Sequence, residues 1–229
     1  REKAIQAFQT QEYWTIEGVF SKNQQDFKAT LVNTPEKKLG KFDLANQQAA
    51  EEILERVKNR SYQVASLEEK ESLKQPLAPF TTSTLQQQAN RALGFSAKQT
   101  MMLAQQLYEG IELGTEGSVG LITYMRTDSV NLSQEFLNAA QKFISQTFGN
   151  DYSSPKKYTT KSKLAQEAHE AIRPTEPSLT PESLAPHLDK RQLRLYELIW
   201  RRALASQMAP AKIKITEINL ESDNHYIFE

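Results

Sequence analysis

Two kinds of periodicity alternate along this chain. Between residues 13 and 32, "WTIEGVF" and "DFKATLV" alternate apolar and polar positions, and the polar "SKNQQ" between them predicts a hairpin. Residues 46–60 switch to a helical spacing, with Ala50, Ile53, Leu54 and Val57 on one face. "SYQVASLEEKE" alternates again, and residues 71–80, with two prolines and no period, read as a linker and boundary. Residues 81–111 predict helices opened by two S-x-x-Q boxes, Ser83 with Gln86 and Ser96 with Gln99, and carry Leu103 and Leu107 inward. Gly110, Gly114, Gly117 and Gly120 form a flexible connection into a strand-like "LITYM". Ser133 caps a helix with Phe136, Ala140, Phe143 and Ile144 inward, ended by Gly149, and residues 150–165 read as a polar, lysine-bearing loop. "AQEAHEAIRPT" reads as a helix that sets His169 and Arg173 on one face and stops at Pro174. Residues 188–207 form a long helix with Leu195, Leu198, Ile199 and Ala203 inward, ended by Pro210. "AKIKITEINLE" then alternates once more, with a phase slip between Ile215 and Ile218.

The β-type pattern therefore occupies both ends and the helical pattern the middle. That order predicts an α+β fold in which a mainly helical domain is inserted into a β-rich one. The boundaries expected are residues 1–80 (the end of a helix plus the first β-rich part), 81–209 (helical) and 210–229 (the second β-rich part). The chain opens on "REKAIQAF", with neither Met nor signal peptide, and closes on the strand-like "HYIFE", which leads us to expect a section of a longer polypeptide.

Composition narrows the chemistry more than it suggests any. Apolar residues at 38% and charged ones at 24% suit a packed domain rather than a disordered tail. The absence of cysteine excludes disulfides, thiolate zinc sites and cysteine nucleophiles, and fits a reducing compartment. His169, His187 and His225 are the only histidines and lie far apart, so no metal spacing of the HExxH kind exists and no metal ligands are expected. No apolar run approaches the roughly 18 residues of a membrane helix. Net charge is zero, so only local clusters could meet an anion: Lys156, Lys157, Lys161 and Lys163, and Lys190, Arg191, Arg194, Arg201 and Arg202. Each cluster also fits an ordinary solvated face. The glycines of residues 110–120 are not followed by Gly-Lys-Ser/Thr and make no phosphate loop.

One stretch departs from that plainness. In "GLITYMRTDSVNLS", residues 120–133, Tyr124, Arg126 and Asp128 stand two apart, so an extended backbone puts all three on one face. A phenol, a guanidinium and a carboxylate together are costly to bury. A tyrosine in a strand is also a common core residue with its hydroxyl at the rim, and a lone His169 is commonly an ordinary surface or core histidine. The sharper reading is phosphoryl transfer to a phenolic oxygen. A free tyrosine titrates near about 10 and needs activation. A guanidinium can steady the phenolate and bind two phosphate oxygens, where an ammonium lacks the planar fork. A histidine can shuttle the proton or hold the phosphodiester.

"GLITYMRTDSVNLS" resembles the active-site segment of the type IA DNA topoisomerases, in particular their bacterial topoisomerase I branch. "PFTTSTLQQQANRALGFSAKQTMMLAQQLYEG" is similar to the helical segment before it, "QEAHEAIRPT" to the histidine-bearing segment, and "LYELIWRRALASQMAPAK" to the helix returning to the β-rich domain. Four motifs in family order cover nearly the whole chain. The resemblance implies a toroidal multidomain enzyme in which residues 81–209 lift away as a gate and the β-rich segments belong to the arch that hinges it. It implies Tyr124 as the nucleophile forming a 5′-phosphotyrosyl bond, Arg126 on the phosphate, His169 at the scissile region and Asp128 in support. Arg173 and the hydroxyls of Thr81, Thr82, Ser83 and Thr84 are further contacts to DNA or to the site.

The implied reaction is a transesterification that relaxes negative supercoils without ATP. The implied partners are DNA, as a single-stranded segment of negatively supercoiled duplex, and an N-terminal domain of the same polypeptide holding Mg²⁺ on an acidic Asp-x-Asp-x-Glu cluster. No membrane is expected, the compartment is the cytoplasm (the bacterial nucleoid), and the chain alone is expected to bind no metal and to lack activity. A non-catalytic DNA-binding module remains the alternative, as does the topoisomerase part of a reverse gyrase, which shares the "YMRTDS" type of motif. A tyrosine recombinase or relaxase would need further catalytic Arg and His positions or a histidine metal cluster, and neither pattern appears.

Overall fold

The computed structural model describes residues 1–114, 117–159 and 170–229. The chain divides into two compact units, one of residues 1–72 and 213–229, the other of residues 73–212. The fold is α+β, mixing helices with antiparallel sheet.

The first unit is built on a five-stranded sheet in the order β1-β2-β7-β6-β3. Strands β1 (Glu17–Lys22) and β2 (Gln25–Asn33) form the expected hairpin, but the turn shrinks to two residues. Asn23 and Gln24 both take positive φ, 52° and 64°, the twist that lets a two-residue turn match the strands it joins. Strand β7 (Ile227–Phe228) pairs antiparallel with β2 and with β6 (Ala211–Ser222). β3 (Tyr62–Lys74) borders β6, and the contacts Asn219 to Ser66 and Glu217 to Lys70 run in opposite chain directions. β3 thus extends into the proline-bearing stretch that reads as a linker from sequence.

Helix α1 (Glu2–Gln6) buries nothing. Helix α2 (Gln47–Val57), capped by Asn46, covers a core of Ile16, Ala29, Leu31, Leu44, Val57, Leu220, Tyr226 and Phe228. Of the predicted apolar face, Ala50 and Val57 are buried and Ile53 packs against the core, whereas Leu54 is turned outward.

In the second unit α3 (Thr82–Leu93), α4 (Ala97–Glu109) and α7 (Lys190–Ala205) pack around Phe80, Leu85, Leu103, Leu107, Leu121, Ile122, Met125, Ile172, Leu195, Tyr196 and Ile199. α3 begins two residues earlier than the Ser83 box predicts: Thr81 is the cap, in a reciprocal box with Thr84. Ser96 caps α4 as expected, accepting from the Gln99 N–H. α5 (Gln134–Thr147), capped by Ser133, packs Phe136 and Ala140 against Ala203 and Leu204 of α7. The short α6 is Pro181–Leu184. The glycine-bearing connection holds a small hairpin, β4 (Ile111–Glu112) with β5 (Ser118–Val119), that no sequence period announced.

One helix prediction fails. Residues 170–175 are extended, because their main-chain groups are bonded to distant segments: the Ala171 N–H donates to the Asn131 carbonyl at 2.8 Å and the Ile172 N–H to that of Phe80 at 2.8 Å. Pro174 pushes the residue before it toward extended conformations in any case. The rest of that predicted helix, with His169, lies outside the described residues. Among the described residues no helix is long and apolar enough to cross a membrane.

Candidate active site

Residues 120–129 cross the second unit beside the C-terminal end of α4 and the N-terminal end of α3. The segment enters with its main chain against α4: the Leu121 N–H donates to the Leu107 carbonyl at 2.7 Å. A Cβ on Gly120 would stand 2.8 Å from the Tyr108 carbonyl oxygen, so only glycine allows that approach. Leu121 and Ile122 are buried as part of the core. From there burial alternates: Met125, Thr127 and Ser129 point inward, while Tyr124, Arg126 and Asp128 are exposed. The period of two holds although only one bridge, Ile122 to Pro174, pairs the segment, and a bend at Met125–Arg126 interrupts the strand read from sequence.

Two threonines hold that shape. The Thr82 hydroxyl donates to the Met125 carbonyl at 2.7 Å and accepts from the Thr127 N–H at 2.9 Å, and the Thr82 N–H donates to the Thr127 carbonyl. The first turn of α3 therefore fixes the main chain on both sides of Arg126. The Thr123 hydroxyl donates to the Ala171 carbonyl at 2.7 Å and accepts from the Arg173 N–H at 3.0 Å, and the Thr123 N–H donates to the Arg173 carbonyl. The residue before Tyr124 is thereby tied to the segment that follows His169. Beyond the bend, the Thr127 hydroxyl accepts from the Ser129 N–H and the Ser129 hydroxyl from the Asn131 N–H, local turns that spend the buried hydroxyls.

The exposed side chains are left free. Among the described residues, neither the Tyr124 hydroxyl, the Arg126 guanidinium nor the Asp128 carboxylate has a hydrogen-bond or ion-pair partner. Asp128 and Arg126 share a face without pairing. The ring of Tyr124 meets that of Tyr108 edge-to-face, centroids 5.4 Å apart.

Arg173 is the opposite case. Its side chain is 13% exposed, and all five N–H groups are engaged: with Glu170, with the carbonyls of Pro174 and Thr175, and with the Ser133 hydroxyl. Its guanidinium also lies 4.6 Å over the Phe136 ring. Glu170 in turn accepts the Ser133 N–H at 2.6 Å, setting a carboxylate at the positive end of α5. Arg173 thus has all its donors taken up by protein groups.

Of the hydroxyl-rich run, Thr81 and Thr84 are taken up by the α3 cap, Ser83 is exposed, and Thr82 faces the site. Thr123, Tyr108 and Glu170 carry no signal in the sequence, and Gly120 reads there only as part of a flexible connection. Only Gly120, beside an apolar run, carries a local signal for close approach. In the basic groups, Arg202 is half-buried over Phe80 with its pKa lowered by burial and Arg201 pairs with Glu197, whereas Lys190, Arg191 and Arg194 are exposed. Lys161 and Lys163 lie outside the described residues. Among the described residues no group of three or more His, Asp or Glu could hold a metal ion.

Comparison with known proteins bears on this arrangement. Residues 1–228 match a family model described as DNA topoisomerase. The chain is 46% identical to a DNA topoisomerase 1 of Xylella fastidiosa, covering 100% of this chain and 29% of that protein. It is 49% identical to a DNA topoisomerase 1 of Campylobacter jejuni, covering 97% of this chain and 32% of that one. In three dimensions it is similar to full-length topoisomerase I from Thermotoga maritima, with a TM-score of 0.74, 36% identity, and coverage of 100% of this chain and 35% of that one. The chain therefore spans about a third of the length of the relatives it matches.

Proposed function

Because this chain belongs to the DNA topoisomerase family, in its type IA, bacterial topoisomerase I branch, we propose that within a longer polypeptide it supplies the strand-cleaving residues of an ATP-independent enzyme that relaxes negatively supercoiled DNA. Tyr124 is the nucleophile. Its phenolic oxygen attacks a backbone phosphorus, an O–P bond to tyrosine forms, and the bond from phosphorus to the 3′-oxygen breaks. The phenol gives up its proton and the departing 3′-oxygen takes one, leaving a 3′-hydroxyl and a 5′-phosphotyrosyl end. Attack by that hydroxyl reverses every bond change and reseals the strand, so no nucleotide is consumed.

Arg126 neutralises the phosphate as charge grows on its non-bridging oxygens, an effect worth a factor of about 10² or more for one well-placed donor. His169 acts at the scissile region, and Asp128 supports the face from its exposed position. The observation that carries this reading is that Tyr124, Arg126 and Asp128 are exposed at alternate positions, unspent, on a main chain clamped by Thr82 and Thr123. A core tyrosine would be buried and its hydroxyl bonded, as Tyr196 is.

We further propose that DNA enters as a single-stranded segment, that the longer polypeptide uses Mg²⁺ held by an N-terminal domain, and that it works in the cytoplasm on the bacterial nucleoid. The described residues offer that ion no cluster of ligands, so no step assigned to this chain runs through it. The test is covalent capture: the full-length polypeptide is mixed with labelled single-stranded DNA, denatured, and protein joined to the new 5′-phosphate end is measured. Tyr124→Phe keeps the ring and is expected to form no adduct while binding DNA normally. An adduct on Tyr124→Phe would assign the chemistry to another residue.

A further inference from the structure

Tyr108 has no place in the chemistry above, yet it is the side chain that touches the Tyr124 ring. We propose that Tyr108 is a positioning residue, holding the Tyr124 phenol in the orientation from which it attacks. The inference rests on the reading of Tyr124 as the nucleophile.

Three observations converge on it. The two rings meet edge-to-face, 5.4 Å apart with planes at 65°, the arrangement in which a positive ring edge meets a negative ring face. The backbones beneath them are locked. The Leu121 N–H donates to the Leu107 carbonyl at 2.7 Å, and Gly120 lets the Tyr108 carbonyl come to where a Cβ would leave only 2.8 Å. Neither ring fills the core: Tyr108 is 40% and Tyr124 43% exposed. The Tyr108 hydroxyl has no hydrogen-bond partner among the described residues, so the ring alone makes the contact.

The physical need is plain. A tyrosine on an exposed face has several staggered χ1 wells open to it. A nucleophile must stand about 3–3.5 Å from the reacting atom and in line, and a 1 Å misplacement costs about 10²-fold. The main chain is held on either side of Tyr124, at Thr123 and at the Met125 carbonyl, but those bonds leave the side-chain torsion of the exposed ring open. A neighbouring ring carried on the last turn of a thirteen-residue helix supplies the restraint that the backbone does not.

The experiment is single-turnover cleavage at saturating DNA with the full-length polypeptide, with affinity and melting temperature measured beside it. Tyr108→Ala is expected to slow adduct formation about 10- to 100-fold, leaving the Kd for single-stranded DNA and the melting temperature unchanged. Tyr108→Phe is expected to restore the wild-type rate, since the hydroxyl is not used. Tyr108→Leu, which keeps apolar bulk without an aromatic edge, is the variant to read if Ala lowers the melting temperature, and it too is expected to be slow. A normal rate in the Ala or Leu variant overturns the inference. So does a loss explained wholly by weaker DNA binding, or a Phe variant as slow as Ala. Tyr124→Phe is run alongside: if it still forms the adduct, the nucleophile assignment fails. If it is dead while Tyr108→Ala is normal, only the role of Tyr108 falls.

Discussion

Arg126 and Arg173 lie in neighbouring segments of one unit, and in the sequence each stands in a motif of the family resemblance, Arg126 as the phosphate contact and Arg173 as a lesser candidate. In space they have opposite fates. Arg173 is nearly buried, with every donor engaged and an aromatic ring beneath it, and its loss would leave one oxygen of the Glu170 carboxylate and two carbonyls without the partners they have here. Arg126 is exposed, and among the described residues nothing engages its guanidinium. Tyr196 and Tyr124 repeat the contrast. Tyr196 is fully buried and donates to the Leu179 carbonyl at 2.6 Å, whereas Tyr124 is 43% exposed and its hydroxyl has no partner among the described residues. A folded protein satisfies its buried polar groups because leaving them unmet costs about 1–3 kcal/mol each. An arginine and a tyrosine without partners among the described residues, on a main chain held at Thr123, Met125 and Thr127, are therefore left for a ligand.

The comparison is broken most directly by exchanging lysine for each arginine. Arg126→Lys is expected to cut the cleavage rate of the full-length polypeptide by about 10²-fold or more, because the ammonium cannot bind two phosphate oxygens at once. Its melting temperature should not move. Arg173→Lys is expected to do the reverse: a loss of about 2–4 kcal/mol of stability by denaturant unfolding, three donors replacing five in a partly buried network. DNA affinity that falls in Arg173→Lys with stability intact would erase the distinction between the two residues.

Thr123→Val sharpens it at the junction between the segments. The shape is kept, but the Arg173 N–H and the Ala171 carbonyl lose their partner, at a cost of about 1–3 kcal/mol. Adduct formation should slow as well, since Thr123 precedes Tyr124, and Thr123→Ser should recover both. A variant that loses stability but not rate would separate the clamp from the chemistry.

The smallest effect belongs to the buried tyrosine. Burial pushes the Tyr196 phenol well above its ordinary value. A group raised in the folded state contributes its full stability below its unfolded pKa, about 10, and loses that contribution as pH climbs toward the folded one. Stability measured by denaturant should therefore fall as pH rises above about 10. Tyr196→Phe should cost about 1 kcal/mol at neutral pH through the lost hydrogen bond, and should flatten that alkaline decline. An equal decline in Tyr196→Phe would place its cause elsewhere.

Much of this arrangement is legible from short-range pattern. The period of two from Tyr124 to Asp128 foretells a shared face, and Met125, Thr127 and Ser129 do turn inward between them. α5 follows from its apolar spacing and its Ser133 cap, α7 from its apolar spacing, and the β1–β2 hairpin from its alternation. Other features are not legible because their causes lie far along the chain. Residues 170–175 carry helical spacing but are extended, since the carbonyls of Phe80 and Asn131 and the hydroxyl of Thr123 claim their N–H groups. The α3 cap falls at Thr81, where Thr82 can reach the Met125–Thr127 bend.

By itself, then, the sequence determined which side chains are chemically able to act and, through periods of two and 3.6, which face each would share with its neighbours. Those periods are properties of the local backbone and need nothing remote. Which of the able groups are free was decided only by the tertiary structure. Whether a guanidinium is spent depends on how remote contacts shape the segment around it: residues 170–175, held extended by Phe80, Asn131 and Thr123, turn the Glu170 carboxylate and the Pro174 and Thr175 carbonyls onto Arg173, and α5 adds Ser133 and Phe136, whereas among the described residues nothing comparable reaches Arg126.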